Sequence, residues 1–86
     1  MEKEPKWNAL KSTRLKKIRG LSFEEVLKTR YIKTENHPNR GNQKLMFFEY
    51  KGKIWVVPFV DNEKERFLKT LYPSRKYTKL YERGEL

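Results

Sequence analysis

The sequence predicts a single α+β domain of residues 1–86: two N-terminal helices, a small antiparallel meander of three or four strands, and a C-terminal helix. Three observations lead there. A chain of 86 residues is too short for more than one core and buries only about 60% of its unfolded surface. Capped stretches of helix-forming residues occupy both ends, and the stretch between them is punctuated by turn signals. Apolar residues make up only 36% of the chain, but five Phe, five Tyr and two Trp bury enough area each to support a compact core rather than disorder.

The first helix is predicted over Trp7 to Arg19, which holds no Gly or Pro. At 100° per residue Trp7, Leu10, Leu15 and Ile18 share an arc of about 140°, an expected core face. Lys11 and Arg14 project inside that arc, so they either snorkel or meet an anion. Gly20 is the expected stop, with Lys16, Lys17 and Arg19 at the negative end of the helix. Ser22-Phe23-Glu24-Glu25 reads as a capping box, flanked by Leu21 and Val26 as a hydrophobic staple, opening a second helix from Phe23 to about Thr29.

Strands are expected at Tyr31–Glu35, Lys44–Tyr50, Lys53–Val60 and Glu65–Tyr72. The turn-rich Asn36 to Gln43 forms a loop, Lys51-Gly52 a hairpin turn, and Asp61 to Glu65 a further turn. The Lys53–Val60 strand, KIWVVPFV, is apolar on both faces and therefore expected to be covered on both. Pro58 conflicts with that, because proline favours an edge or a bulge. Pro73 and Ser74 are expected to break the last strand. A C-terminal helix over Arg75–Arg83 then stops at Gly84.

The charge points to partners. With 21 Lys plus Arg against 11 Asp plus Glu, the formal net charge is +10, the footprint of a polyanion binder. The cations concentrate at the two ends, in Lys3 to Arg19 and in Arg66 to Arg83. A single basic face requires those ends to meet in the fold. No 18-residue apolar run spans a membrane, no Lys-rich face pairs with a strongly apolar one, and the N-terminus lacks a secretory h-region. A cytoplasmic protein is expected.

Composition also limits the chemistry. There is no Cys, one His and one Asp, which disfavours zinc sites and two-metal phosphoryl transfer, and the four scattered glycines form no phosphate loop. No cofactor is expected. RNA supplies its own nucleophile, the 2′-hydroxyl, so cleavage needs only groups that hold the phosphate, stabilise its charge and move protons. TLYPSRKYTKLYERG interleaves Arg75, Lys76, Lys79 and Arg83 with Tyr72, Tyr77 and Tyr81. That set suits metal-free cleavage, and equally a non-catalytic surface that binds phosphate and stacks bases. Tyr77 and Tyr81, four apart, also suit a plain packing face. In the loop, His37 and Arg40 are candidate RNA contacts, with a structural His as the alternative.

These pieces resemble the BrnT-like toxins of bacterial type II toxin–antitoxin modules, related in fold to RelE ribonucleases. Trp7-Asn8, Lys11, Gly20 and Ser22-Phe23-Glu24-Glu25 are similar to that family's opening: a Trp-Asp helix with an early Lys, a Gly, and a SFEE-type turn. Arg75-Lys76-Tyr77-Thr78-Lys79 resembles its closing Arg-Lys-Ala-Thr-Lys helix start. HPNRGNQK, VVPFV and FLKTLYPSRK resemble a sub-group with a His-Pro-Asn loop and an FLKT-type strand. The resemblance implies a metal-independent endoribonuclease with a small antiparallel sheet flanked by helices. It also implies an antitoxin partner, often a ribbon-helix-helix DNA-binding protein, in a complex that often represses its own operon. Arg75 and Lys79 match the closing basic pair, and Lys11 the early helical Lys. Arg19 stands where many members have His, and Tyr77 replaces the common Ala, so Lys69 on the last strand, or Tyr77, is the candidate proton-transfer group. Lys76 joins Lys11, His37 and Arg40 as a candidate RNA contact.

Overall fold

The computed structural model describes residues 4–86; Glu2 and Lys3, at the start of the N-terminal basic segment, lie outside the described residues. In chain order these form β1 (Pro5–Lys6), α1 (Ala9–Arg19), α2 (Phe23–Leu27), β2 (Arg30–Asn36), β3 (Gln43–Tyr50), β4 (Lys53–Asp61), β5 (Arg66–Leu68), β6 (Tyr72–Ser74) and α3 (Arg75–Glu82). The sheet runs β1-β5-β4-β3-β2, and β6 takes the rest of the β4 edge that β5 leaves open. The expected α+β class and helix order hold. The sheet has six strands among the described residues rather than three or four, and it is not wholly antiparallel, because β1 pairs with β5 in parallel through Pro5–Arg66 and Lys6–Phe67.

β4 is the centre. Successive side chains of a strand alternate between faces. Trp55, Val57 and Phe59 enter one cluster with Leu15, Phe23, Val26, Met46, Phe48, Leu68 and Leu71, under α1 and α2. Ile54 and Val56 enter a second cluster with Leu45 and Phe47, closed by Tyr72, Tyr77 and Tyr81 under α3. The strand is thus covered on both faces, as its apolar run predicts, and each large side chain buried there contributes on the order of 1.5–3 kcal/mol.

Pro58 fits because of what lies beside it. Its carbonyl accepts from the Lys69 amide at 2.8 Å, so the position where its missing N–H would point faces the same edge. That edge is interrupted there, between β5, which pairs with Phe59–Asp61, and β6, which pairs with Ile54–Val56. The expected single strand Glu65–Tyr72 is therefore two short ones. Lys69 to Leu71 leave the ladder, Leu71 is fully buried in the first cluster, and Arg19 donates to the Leu71 carbonyl at 2.6 Å and to Thr70 Oγ1 at 3.1 Å. Pro73 and Ser74 do not end the pairing as expected. They sit opposite Trp55 and Ile54, where an edge position tolerates proline.

The turn chemistry matches the sequence closely. Lys51 and Gly52 have φ of 51° and 79°, the paired positive values of a type I′ hairpin. Gly20 closes α1 at φ 97°. Ser22 and Glu25 form both halves of the capping box, at 3.2 and 3.0 Å. Lys16 Nζ sits 2.8 Å from the Glu25 carboxylate. That bond, and next the Ser22 amide, hold the carboxyl below its ordinary value of 4.5. A lowered folded value stabilises the fold above the ordinary value, and that stabilisation disappears as pH falls through the lowered one. Wild type is therefore expected to exceed Glu25→Gln in stability near neutral pH. The difference should shrink between about pH 5 and about pH 3 when urea midpoints are compared.

The core face of α1 is where periodicity misleads. The helix starts at Ala9, with Asn8 Oδ1 accepting from the Lys11 amide as N-cap, and Trp7 precedes it, its ring 5.9 Å from Phe23. The buried side carries Ser12 and Leu15, while Leu10 is 81% and Ile18 65% exposed. Polar contacts decide this orientation. Ser12 Oγ accepts from the Phe23 amide at 3.0 Å and donates to Glu24 Oε1 at 3.2 Å, and Arg19 reaches Leu71 from the same side. Ser12→Ala would orphan the buried Phe23 amide and is expected to cost about 1–3 kcal/mol. An unchanged denaturation midpoint would refute this.

Candidate nucleic-acid interface

α3 is built by its first residues. Ser74 Oγ caps the Tyr77 amide at 3.2 Å, starting the helix directly after β6. Thr78 Oγ1 accepts from the Ile54 amide at 2.8 Å and donates to the Ser74 carbonyl at 2.6 Å. One hydroxyl thereby joins α3 to the start of β4. Residues spaced by three, four and seven share a helix face. Arg75, Thr78, Lys79 and Glu82 do so here, and with Lys53, Pro73 and Ser74 they line an open cleft of about 410 Å³. Arg75, Lys79, Lys53 and Glu82 are all exposed.

The opposite face of α3 is structural. Tyr77 stacks tilted on Phe47 with ring centroids 4.6 Å apart, and Tyr81 packs on the same cluster. This is the packing alternative for the tyrosine pair. Lys76 points along the outer surface, its Nζ 5.4 Å from the Tyr77 ring centre. Tyr72, beside Tyr77, has its hydroxyl pushed above its ordinary value by burial first and by Tyr77 next, with Arg19 acting in the opposite sense.

Lys69 does not join Arg75 and Lys79. It lies opposite Pro58, whereas Ser74 lies opposite Ile54, which separates them by about 13 Å at ~3.3 Å per strand residue. Lys69 instead lines a second cleft, of about 460 Å³, with Asn8, Leu10, Lys11 and Arg14. Two candidates from distant parts of the chain, Lys11 and Lys69, therefore meet here. His37 and Arg40 sit elsewhere again. Their loop joins β2 to β3, with the His37 amide donating to the Gln43 carbonyl and the Asn39 amide to His37 Nδ1. Gln43 pairs with Val60, about 23 Å along β4 from Lys53 by the same rise.

The helices α1 and α3 thus cover opposite faces of the sheet, while the two basic segments meet along the β5 edge, where Lys6 pairs with Phe67 and Lys11 and Arg14 share a cleft with Lys69. Lys53 and Glu82 escaped sequence reasoning. Lys53 enters the cleft only through the hairpin register and the β4–β6 pairing. Glu82 had a signal available, since it stands seven residues after Arg75 and three after Lys79 on one helix. Among the described residues no three His, Cys, Asp or Glu side chains cluster as a metal site, and no helix is long and apolar enough to cross a membrane.

The comparison with solved structures agrees with this architecture. No family model matches the chain, and no curated protein does. Among solved structures the chain is similar to the Brucella abortus ribonuclease toxin BrnT, known from a 1.1 Å crystal structure. The TM-score is 0.55 over 85% of this chain and 97% of that one, at 16% sequence identity. The chain has the BrnT toxin fold.

Proposed function

We propose that this chain is a metal-independent endoribonuclease toxin that works in the cytoplasm and cleaves RNA through its own 2′-hydroxyl. The observation that carries the reading is the convergence of Arg75, Lys79 and Lys53 beside Glu82 in one open cleft, on a fold similar to that of a ribonuclease toxin. Arg75 and Lys79 bind the scissile phosphate and stabilise the extra negative charge that develops on its oxygens. Lys53 holds a neighbouring phosphate. Glu82, the acid–base group among the cleft residues, takes the proton as the 2′-oxygen attacks. The 5′-oxygen leaves and is protonated by water, giving a 2′,3′-cyclic phosphate and a 5′-hydroxyl. Lys11, with Lys69, provides a separate contact for flanking RNA, and Lys76, His37 and Arg40 offer outlying ones. This assigns proton transfer to Glu82 rather than to Lys69, which lines the other cleft, or to Tyr77, whose ring packs on Phe47.

As a toxin the chain would be neutralised by an antitoxin, a ribbon-helix-helix DNA-binding protein encoded beside it, in a complex that represses its own operon. The test is cleavage of a defined RNA by the purified protein, with end-group analysis. Cyclic-phosphate and 5′-hydroxyl ends, undiminished by a metal chelator and reduced about 10²-fold or more by Glu82→Gln, are expected. Products with 5′-phosphates, or loss of activity with chelator, would defeat the mechanism. The packing of Tyr77 favours one second reading, a non-catalytic RNA-binding module on the same basic cleft, and under it the RNA would be bound but remain intact.

A further inference from the structure

The outward side of α1 is apolar and cationic together. Leu10 and Ile18 are two of the three large exposed hydrophobic side chains among the described residues. The third, Tyr31, packs edge-on against Phe48 and bonds Thr34 through its hydroxyl, whereas Leu10 and Ile18 belong to neither core cluster. Leu10, Arg14 and Ile18 follow one another at four-residue steps, a stripe about 12 Å long at ~1.5 Å per residue. Lys17 flanks it on one side and Lys11 on the other. α1 contains no acidic residue. Lys16 is engaged by Glu25 and Arg19 by the Thr70–Leu71 segment, while Lys11, Arg14 and Lys17 form no ion pair among the described residues.

We infer that this face is the docking surface for an amphipathic, acidic helix of a partner protein, the antitoxin of the proposed function, on which the partner's identity rests. Charge complementarity selects the occupant. Apolar side chains of the partner helix would cover Leu10 and Ile18, and its flanking carboxylates would meet Lys11, Arg14 and Lys17. RNA would satisfy the cations but leave the two apolar side chains in water. A second copy of a chain with net charge +10 would meet like charge, and two apolar residues are too few to seat a helix in a bilayer. Leu10, Lys11 and Arg14 also line the cleft that holds Lys69, so a docked helix would cover that RNA contact as well.

The test uses the full chain and the ribbon-helix-helix protein encoded beside it, with affinity measured at low and high salt for wild type, Leu10→Ser, Ile18→Ser and the double variant. Each single change is expected to weaken binding about tenfold or more. Salt should weaken wild-type binding, and hydrogen exchange should slow over residues 9–19 in the complex. Both side chains are exposed, so thermal stability should stay at wild-type level in every variant, and Ile18→Ser, whose side chain lies outside the Lys69 cleft, should leave RNA cleavage at wild-type level as well. Wild-type binding that the double variant retains within about threefold would overturn the docking surface and leave the antitoxin pairing standing. Absence of wild-type binding would overturn the pairing, and the docking surface with it. Co-sedimentation with phosphatidylglycerol vesicles that the double variant abolishes, with partner binding unchanged, would overturn it in favour of a membrane.

Discussion

On the proposed mechanism, Arg75→Ala is expected to lower RNA cleavage by about 10²–10³-fold, because it would remove a charged donor aimed at the phosphate where negative charge grows. Ground-state binding should suffer far less. One phosphate contact corresponds to roughly one unit of salt slope, so a modest loss of affinity and a flatter salt dependence are expected. The fold should be untouched, since Arg75 is exposed, and the capping of α3 rests on Ser74, with its attachment to β4 resting on Thr78. Induction in bacteria gives the same comparison in vivo. Growth arrest and RNA fragmentation are expected from the wild-type gene and from neither readout with the variant. Intact RNA and normal growth from both would remove the toxin reading and leave a binding module. Cleavage retained within a fewfold by the variant would move the active centre away from this cleft.

Phe47→Ala should have the largest effect on stability. Its side chain is fully buried at the centre of the second cluster, pairs across the sheet with Val56 and receives the Tyr77 ring. Truncating a core Phe costs about 3–5 kcal/mol, and in a domain of this size that is a large part of the total stability. At roughly 4–8 °C per kcal/mol the midpoint should fall by well over 10 °C. Phe47→Leu retains most of the volume and should recover much of the loss. Because α3 lies on this cluster, cleavage should decline with the folded fraction, which circular dichroism follows independently. A midpoint shift under about 3 °C would show that α3 is held by its hydrogen bonds to β4 and not by this packing.

The local devices of the chain are legible because each depends on a few neighbouring residues. Ser22 and Glu25 specify a capping box, Lys51-Gly52 specifies a type I′ turn, and Gly20 specifies a helix stop wherever the rest of the chain goes. The apolar run KIWVVPFV likewise identifies a strand covered on both faces. α1 was harder. Its hydrophobic periodicity selects Leu10, Leu15 and Ile18, yet only Leu15 is buried, because a small hydroxyl at Ser12 and a guanidinium at Arg19 make long-range bonds that no periodicity count weighs. The interruption between β5 and β6 was equally hidden, since it depends on which edge of β4 Pro58 turns its nitrogen toward.

For the candidate site, the sequence alone determined that basic residues gather in the last helix and that Arg75 and Lys79, one turn apart, share a face. Helical spacing is a local property and needs no partner. Glu82 follows from the same spacing, but only the tertiary structure decided that Lys53 completes that cleft, that Lys69 lines a second cleft with Lys11 instead, and that His37 and Arg40 lie at the far end of the sheet. Those outcomes follow from strand register and from the sheet face each helix covers, which are set by burying the two sides of β4 at once.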